Sequence, residues 1–192
     1  FHPLQNKAVS GEYPPASTYK IITAMAGLEE GIIDTETTFY CPGYYRFGDR
    51  VFRCWRRGGH GSVQVARALA VSCDVFFYQA GQKLGVDRLA KYARACGLGK
   101  GTGIDLGHES SGLIPTSEWK KRRFGVPWQK GETLSIAIGQ GYNLVTPLQM
   151  AVLTAAVANG GTLYRPQVIK RRENALGETV YACAPEAAGR LP

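Results

Sequence analysis

Tyr13-Pro14-Pro15-Ala16-Ser17-Thr18-Tyr19-Lys20 opens a run that continues as Ile21-Ile22-Thr23-Ala24-Met25-Ala26-Gly27-Leu28-Glu29-Glu30-Gly31. Two prolines, a capping-type Ser-Thr pair, an apolar stretch and a closing glycine come in the order that starts and stops a helix, so a helix is predicted over 14–31. On it Ser17 and Lys20 share one face, a turn apart. A hydroxyl and an amine so placed can share a proton. Serine is a poor nucleophile without an adjacent base, and burial disfavours the charged form of a lysine, which makes its amine such a base. Backbone N–H groups at the helix start point toward developing negative charge. Alone, Ser-x-x-Lys is weak, because a capping serine and an exposed lysine recur at that spacing by chance.

Outward from this run, Thr35 to Gly61 is rich in Gly, Arg, aromatics and Cys and has no helical periodicity. That is long for an unsupported loop, so a device other than a core should order it. A helix is predicted over Val63 to Val71 with Ser62 as N-cap, and a second opens at Asp74 and runs to about Lys83, which sets Ser72-Cys73-Asp74 at a junction. Asp87 to Ala95 reads as a helix ended by Gly97, Ser117-Glu118-Trp119-Lys120 starts a short polar one, and Thr146-Pro147 caps a strong one that ends at Asn159-Gly160-Gly161. Thr162 to Lys170 and Glu178 to Cys183 read as the two strands of a hairpin around Asn174 to Gly177. The result is a mostly helical chain with no internal repeat or low-complexity linker.

The chain has 192 residues, 44% of them hydrophobic and 20% charged, and this composition excludes disorder and fibrous repeats. Its 24 glycines predict many tight turns. No run reaches the roughly 18 apolar residues of a bilayer span, and Phe1-His2-Pro3 does not begin a signal peptide. The opening on Phe1 and the close on Pro192 suggest a segment of a longer polypeptide. The formal charge of +8 resides in Arg56-Arg57, Lys120-Lys121-Arg122-Arg123 and Lys170-Arg171-Arg172, read as solvated faces. No basic motif interleaved with aromatics is present, which argues against nucleic acid as a partner.

Five cysteines, at 41, 54, 73, 96 and 183, cannot all pair internally. Three of them, Cys41, Cys54 and Cys73, cluster in sequence around His60. Three thiolates and one imidazole suit a closed tetrahedral zinc ion of structural kind, and Gly58, Gly59 and Gly61 free the chain to bring His60 back to a common centre. The alternative is three unrelated cysteines, with a Cys41–Cys54 disulfide as one arrangement. Cys96 and Cys183 are expected to be ordinary buried or half-buried thiols. His2 and His108 lie in loop-like runs and receive no role.

Tyr13-Pro14-Pro15-Ala16-Ser17-Thr18-Tyr19-Lys20 resembles the nucleophile segment of class B penicillin-binding proteins, usually Tyr-Pro-Pro-Gly-Ser-Thr-Phe-Lys, with Ala16 and Tyr19 as mild departures. Ser72-Cys73-Asp74 is similar to the family's Ser-x-Asn/Asp motif, and Gly139-Gln140-Gly141-Tyr142 with Thr146-Pro147-Leu148-Gln149 is similar to its Gly-Gln-Gly and Thr-Pro-Leu-Gln segments. Cys54-Trp55, Gly59-His60-Gly61, Gly103-Ile104-Asp105-Leu106 and Gly131-Glu132-Thr133 are most similar to the elongation-type branch.

The resemblance implies an α+β fold of the penicillin-binding protein/serine β-lactamase type. The segment 1–192 would be a partial transpeptidase domain, mostly its helical lobe with a short β-hairpin near the C-terminus. The third family motif, Lys-Thr/Ser-Gly, and much of the central sheet would lie outside it. The implied chemistry is D,D-transpeptidation of D-Ala-D-Ala stem peptides through an acyl-enzyme on Ser17, with Lys20, Ser72 and Asp74 as its partners and β-lactams as covalent ligands. No cofactor is implied for catalysis. The implied partners are peptidoglycan stem peptides, an elongation glycosyltransferase and its scaffold, at the periplasmic face of the inner membrane, with the anchor outside these residues. A class A β-lactamase or β-lactam sensor, and a zinc-stabilised binding module without catalysis, remain as other readings.

Overall fold

The computed structural model describes residues 4–192; Phe1, His2 and Pro3, including the histidine given no role above, lie outside the described residues. The helices are α1 (Lys7–Ser10), α2 (Lys20–Glu29), α3 (Val65–Ala70), α4 (Asp74–Leu84), α5 (Val86–Ala95), α6 (Ser117–Phe124), α7 (Lys130–Ala137) and α8 (Pro147–Ala158). Four two-stranded antiparallel ladders accompany them: β1 (Phe39–Cys41) with β4 (Gly61–Val63), β2 (Tyr44–Phe47) with β3 (Arg50–Arg53), β5 (Thr162–Tyr164) with β8 (Ala187–Arg190), and β6 (Arg171–Glu173) with β7 (Thr179–Ala182). Helix dominates, as expected, and among the described residues no helix is long and apolar enough to cross a membrane.

Three local expectations change. The helix predicted over 14–31 is divided: Ala16–Tyr19 forms a 3-10 turn and the α-helix begins only at Lys20. The tighter turn is a common helix entry, and because its side chains at i and i+3 eclipse, Ser17 and Lys20 stay aligned. Ser62 is not an N-cap. It lies in β4, paired with Tyr40, so α3 starts two residues later than predicted, behind Gln64. The stretch read as one strand from Thr162 to Lys170 breaks after Tyr164, and its first part pairs with β8 rather than within the hairpin. The hairpin around Asn174 to Gly177 is formed by β6 and β7. At α8 the expected cap is present in full, with Thr146 accepting from Gln149 N, Gln149 returning a bond to Thr146 N, and Pro147 in the first turn.

The core forms around α2 and α4. Ile22 and Ala26 of α2 pack with Leu89, Ile136 and Leu153 on one side, while Ala24 joins Phe76, Phe77 and Leu134 on the other. Phe76 and Phe77 are fully buried, and each contributes on the order of 1.5–3 kcal/mol of apolar transfer. Gly81 lets α4 approach α7 closely, because a Cβ there would collide with that of Ala137. The strands β6 and β7, by contrast, are exposed throughout. The packed lobe therefore gathers the N-terminus of α4, the 3-10 turn and the β1–β4 loops in one place.

Candidate active site and thiol cluster

Lys20 opens α2 with its side chain almost fully buried, 1% exposed. Burying an ammonium is costly unless every proton finds an acceptor, and here each of the three does. Lys20 Nζ donates to Asp74 Oδ1 at 2.6 Å, to Ser72 Oγ at 3.0 Å and to the Ser72 carbonyl at 3.0 Å. Asp74 is the first residue of α4 and Ser72 precedes it in the tight connection from α3, so one segment more than fifty residues from Lys20 in sequence supplies all three acceptors of its amine. Ser72 adopts φ 51°, a left-handed backbone that costs a non-glycine residue about 1–3 kcal/mol and persists only where its surroundings determine it.

Ser17 stands exposed in the 3-10 turn, its carbonyl accepting the Lys20 backbone N–H. The hydrogen bonds of the Lys20 ammonium go to Ser72 and Asp74, and none goes to Ser17. The residue before the serine, Ala16, also has positive φ, at 49°, and its N–H donates to the Gly139 carbonyl at 2.9 Å. Only a glycine fits at 139, since a Cβ there would run into the Ala16 carbonyl and would sit 2.6 Å from Tyr19 Cβ. The Gly139-Gln140-Gly141 segment is thus the surface against which the serine turn is pressed. Tyr19 faces away from this surface into the core, where burial pushes its phenol well above the usual range and the Leu89 carbonyl accepts its O–H at 3.4 Å.

Cys41, Cys54, His60 and Cys73 converge: one ligand-type atom from each lies within 4.8 Å of all the others. The β1–β4 ladder holds Cys41 opposite Gly61, and the His60 N–H donates to the Cys41 carbonyl at 3.0 Å, which turns the imidazole inward. His60 Nδ1 is 3.7 Å from Cys41 Sγ and 3.5 Å from Cys54 Sγ. A tetrahedral ion with bonds of about 2.3 Å to sulfur and about 2.0–2.1 Å to nitrogen places neighbouring ligand atoms roughly 3.5–3.8 Å apart, so the residues present fit zinc. His60 Nε2 is buried without a hydrogen-bond partner. Burial pushes the Cys73 thiol up to about 12, with Cys41 and Cys54 adding to the shift, and burial together with the nearby Arg56 holds His60 below its usual value. All five cysteines are free, so the Cys41–Cys54 disulfide is not formed.

The penicillin binding protein transpeptidase domain model matches residues 1–190. The chain belongs to this family. It is 45% identical over 180 residues to the peptidoglycan D,D-transpeptidase MrdA of Acinetobacter baumannii, a match covering 93% of this chain and 27% of that protein. Penicillin-binding protein 2 of Helicobacter pylori, solved in complex with MreC, superposes with a TM-score of 0.83 at 38% identity, covering 86% of this chain and 31% of that one. A chain from a peptidoglycan synthase complex, whose structure addresses coordination of polymerization and crosslinking, matches with TM-score 0.87 at 41% identity over 99% of this chain and 31% of its own. The present chain therefore spans about a quarter to a third of these relatives.

Within this transpeptidase-family segment, the residues read from sequence form two groups. Lys20, Ser72 and Asp74 are joined directly, with Ser17 a turn away, and the four metal-type ligands form the second cluster. Cys73 sits between Ser72 and Asp74 and so belongs to both neighbourhoods. Two structural features escaped the sequence reading. Lys120, read as part of a solvated basic run, is buried against Glu132 at 2.5 Å, whereas Lys121, Arg122 and Arg123 are exposed. Trp55 donates its backbone N–H to Asp74 Oδ2 at 2.9 Å, a contact with no sequence signature. Cys96 and Cys183 stay apart from both clusters; Cys96 is buried beside Met25, and His108 lies in a loop.

Proposed function

We propose that this chain is the nucleophile-bearing part of a serine D,D-transpeptidase that cross-links peptidoglycan and is acylated by β-lactams. The observation that carries the reading is the buried Lys20 ammonium, held by Ser72 Oγ and Asp74 one eclipsed turn from an exposed serine. Ser17 Oγ attacks the carbonyl between the two terminal D-alanines of a stem peptide. With one ammonium proton first released to solvent, the Lys20 amine takes the serine proton as the C–O bond forms; Ser72 delivers its hydroxyl proton to the departing amine as the C–N bond breaks and is reprotonated from Lys20. D-alanine leaves, the acyl group remains on Ser17, and the amine of a second stem peptide takes it in the reverse sequence. Asp74 compensates the lysine charge and fixes its direction. Residues beyond Pro192 would supply the Lys-Thr/Ser-Gly strand and complete the domain. Labelling of the complete protein with a fluorescent penicillin tests this: Ser17→Ala should abolish the covalent adduct, and Lys20→Ala should slow acylation by several orders of magnitude. Normal acylation of Lys20→Ala would remove Lys20 as the base.

We infer further that Cys41, Cys54, His60 and Cys73 hold a structural zinc ion. Four protein ligands leave no open position, so the ion would supply rigidity and charge balance rather than chemistry. Fresh protein should carry close to one equivalent of zinc; less than about a tenth of an equivalent, with all thiols titratable under native conditions, would overturn the site. The likeness to the Helicobacter pylori protein bound to MreC and to the chain of a synthase complex supports a scaffold and a glycosyltransferase as partners, and with them a periplasmic location at the inner membrane.

A further inference from the structure

We propose that Trp55 is a positioning residue for acylation: its indole N–H and backbone N–H hold the two groups that hold Lys20. This rests on the reading of Ser17, Lys20, Ser72 and Asp74 given above. Lys20 has two acceptors besides the Ser72 hydroxyl, namely Asp74 and the Ser72 carbonyl, and Trp55 donates to both. Asp74 gives Oδ1 to Lys20 and Oδ2 to the Trp55 N–H at 2.9 Å. The Ser72 carbonyl accepts from Lys20 Nζ at 3.0 Å and from Trp55 Nε1 at 3.1 Å, and the indole also reaches the Val71 carbonyl at 3.0 Å.

This arrangement clasps the two carbonyls at the point where the backbone enters the left-handed conformation of Ser72. A strained residue keeps its conformation only if neighbouring groups enforce it, and the indole N–H and Lys20 are the groups that do so on the carbonyl side. Without the indole donor, the Ser72 carbonyl would have the ammonium alone. The same peptide's Cys73 N–H still donates to the Ala68 carbonyl at 2.8 Å, so it would tilt about that bond rather than turn over, enough to carry the Ser72 hydroxyl off its line to Lys20.

Packing does not explain the tryptophan, because the residue is 65% exposed. Its attachment is nevertheless rigid. Cys54, next in the chain, is buried and donates its N–H to the Gly43 carbonyl at 2.8 Å, and the His60 ring lies against the indole with centroids 5.4 Å apart. The loop that carries the thiol cluster thereby presents a fixed pair of donors to the second catalytic motif.

The test uses the complete transpeptidase with Trp55 replaced by β-(3-benzothienyl)alanine, which keeps the ring shape and substitutes sulfur for the N–H, alongside Trp55→Phe. Time-resolved acylation by a fluorescent penicillin separates the reversible binding constant from the first-order acylation constant. Both variants should lose about threefold to tenfold in the acylation constant, the worth of one hydrogen bond, while binding changes less than about twofold and the melting temperature is nearly unchanged for the isostere. Wild-type acylation by the benzothienyl variant would overturn the proposal, as would a loss confined to Trp55→Phe, which would mark the ring's bulk as the working feature. A change confined to the binding constant would also overturn it, assigning the indole to ligand contact. If the unsubstituted protein fails to label at Ser17, the reading of the active site itself fails, and that outcome is separate from any difference among Trp55 variants.

Discussion

The Lys20 cluster and the His60 cluster lie side by side, share the Ser72-Cys73-Asp74 segment and are both buried, yet they balance charge in different ways. Around Lys20 the chain supplies everything: one ammonium, one carboxylate, and an acceptor for each proton. Around His60 the groups that face one another are three thiols and an imidazole, all of which become good ligands only when a cation joins them. The first cluster is internally neutral, and its penalty is desolvation. The second, when it holds the proposed zinc ion, is balanced by a cation from solution. The difference predicts that the first should respond to substitution alone, whereas the second should respond to substitution and to chelation in the same way.

The largest effect should come from breaking the internal pair. Asp74→Ala leaves the Lys20 ammonium buried without its counter-charge, and removing one partner of such a pair costs about 3–5 kcal/mol. Urea unfolding of the complete protein checks this, with penicillin acylation falling in parallel. A Lys20→Met/Asp74→Leu double variant sharpens the contrast. It should recover most of the stability, since an apolar pair of similar volume replaces the charges, and should recover no acylation. If Asp74→Ala unfolded like the parent protein, the pair would be a surface-type bridge and the comparison would collapse.

A smaller, conditional effect belongs to the thiol cluster. Cys41→Ser removes one ligand without disturbing the backbone bond from His60 N–H to the Cys41 carbonyl. The stability lost should equal that lost on chelation, about 2.7 kcal/mol where free metal stands at a hundred times its dissociation constant, and chelator should add nothing further to the variant. Additive losses from the two treatments would show that Cys41 stabilises by packing, as an ordinary buried thiol does.

How much of this was legible in sequence depended on how local the determinants are. Ser17 and Lys20, or Ser72 and Asp74, lie within one turn of each other, but that spacing is weak alone, and the whole motifs around them, through their resemblance to a family, single them out. The thiol cluster was legible through composition, because two cysteines and a histidine fall in one otherwise unpatterned stretch and Cys73 follows at the next helix junction. The α+β class came from the resemblance, while the caps, Thr146 above all, marked individual helices. What failed were features decided by distant partners. Ser62 has cap chemistry but is claimed by pairing with Tyr40. Helix α7 went unread because its buried face, Thr133, Leu134, Ile136 and Ala137, spans little more than one turn and mixes a polar residue with the apolar ones, so its periodicity is weak. Lys120 sits in a run of like charges and is singled out only by Glu132, twelve residues on. Trp55 acts on Asp74 partly through its main chain, which every residue possesses.

The smallest effect concerns a third way of balancing charge, at the surface. Glu30 closes α2 and accepts hydrogen bonds from the Tyr92 hydroxyl at 3.0 Å and from Lys91 at 3.3 Å, with Arg88 3.8 Å away. The tyrosine bond first, then the cations, hold its carboxyl below the usual glutamate range. The folded state thus binds its proton less readily than the unfolded chain does, so the stabilisation is present in full above the ordinary glutamate value of roughly 4.3 and is lost as pH falls through the folded value. Glu30→Gln should therefore lower the melting temperature slightly at neutral pH and converge with the parent protein at the acid end. The exposed bridges should also weaken with salt, because ions screen them, while the buried Lys20–Asp74 pair should not. A gap between Glu30→Gln and parent that is constant from neutral to acid pH would show that the hydrogen bond to Tyr92, not the charge, is what matters there. Salt sensitivity of Asp74→Ala equal to that of Glu30→Gln would place both carboxylates in the same class.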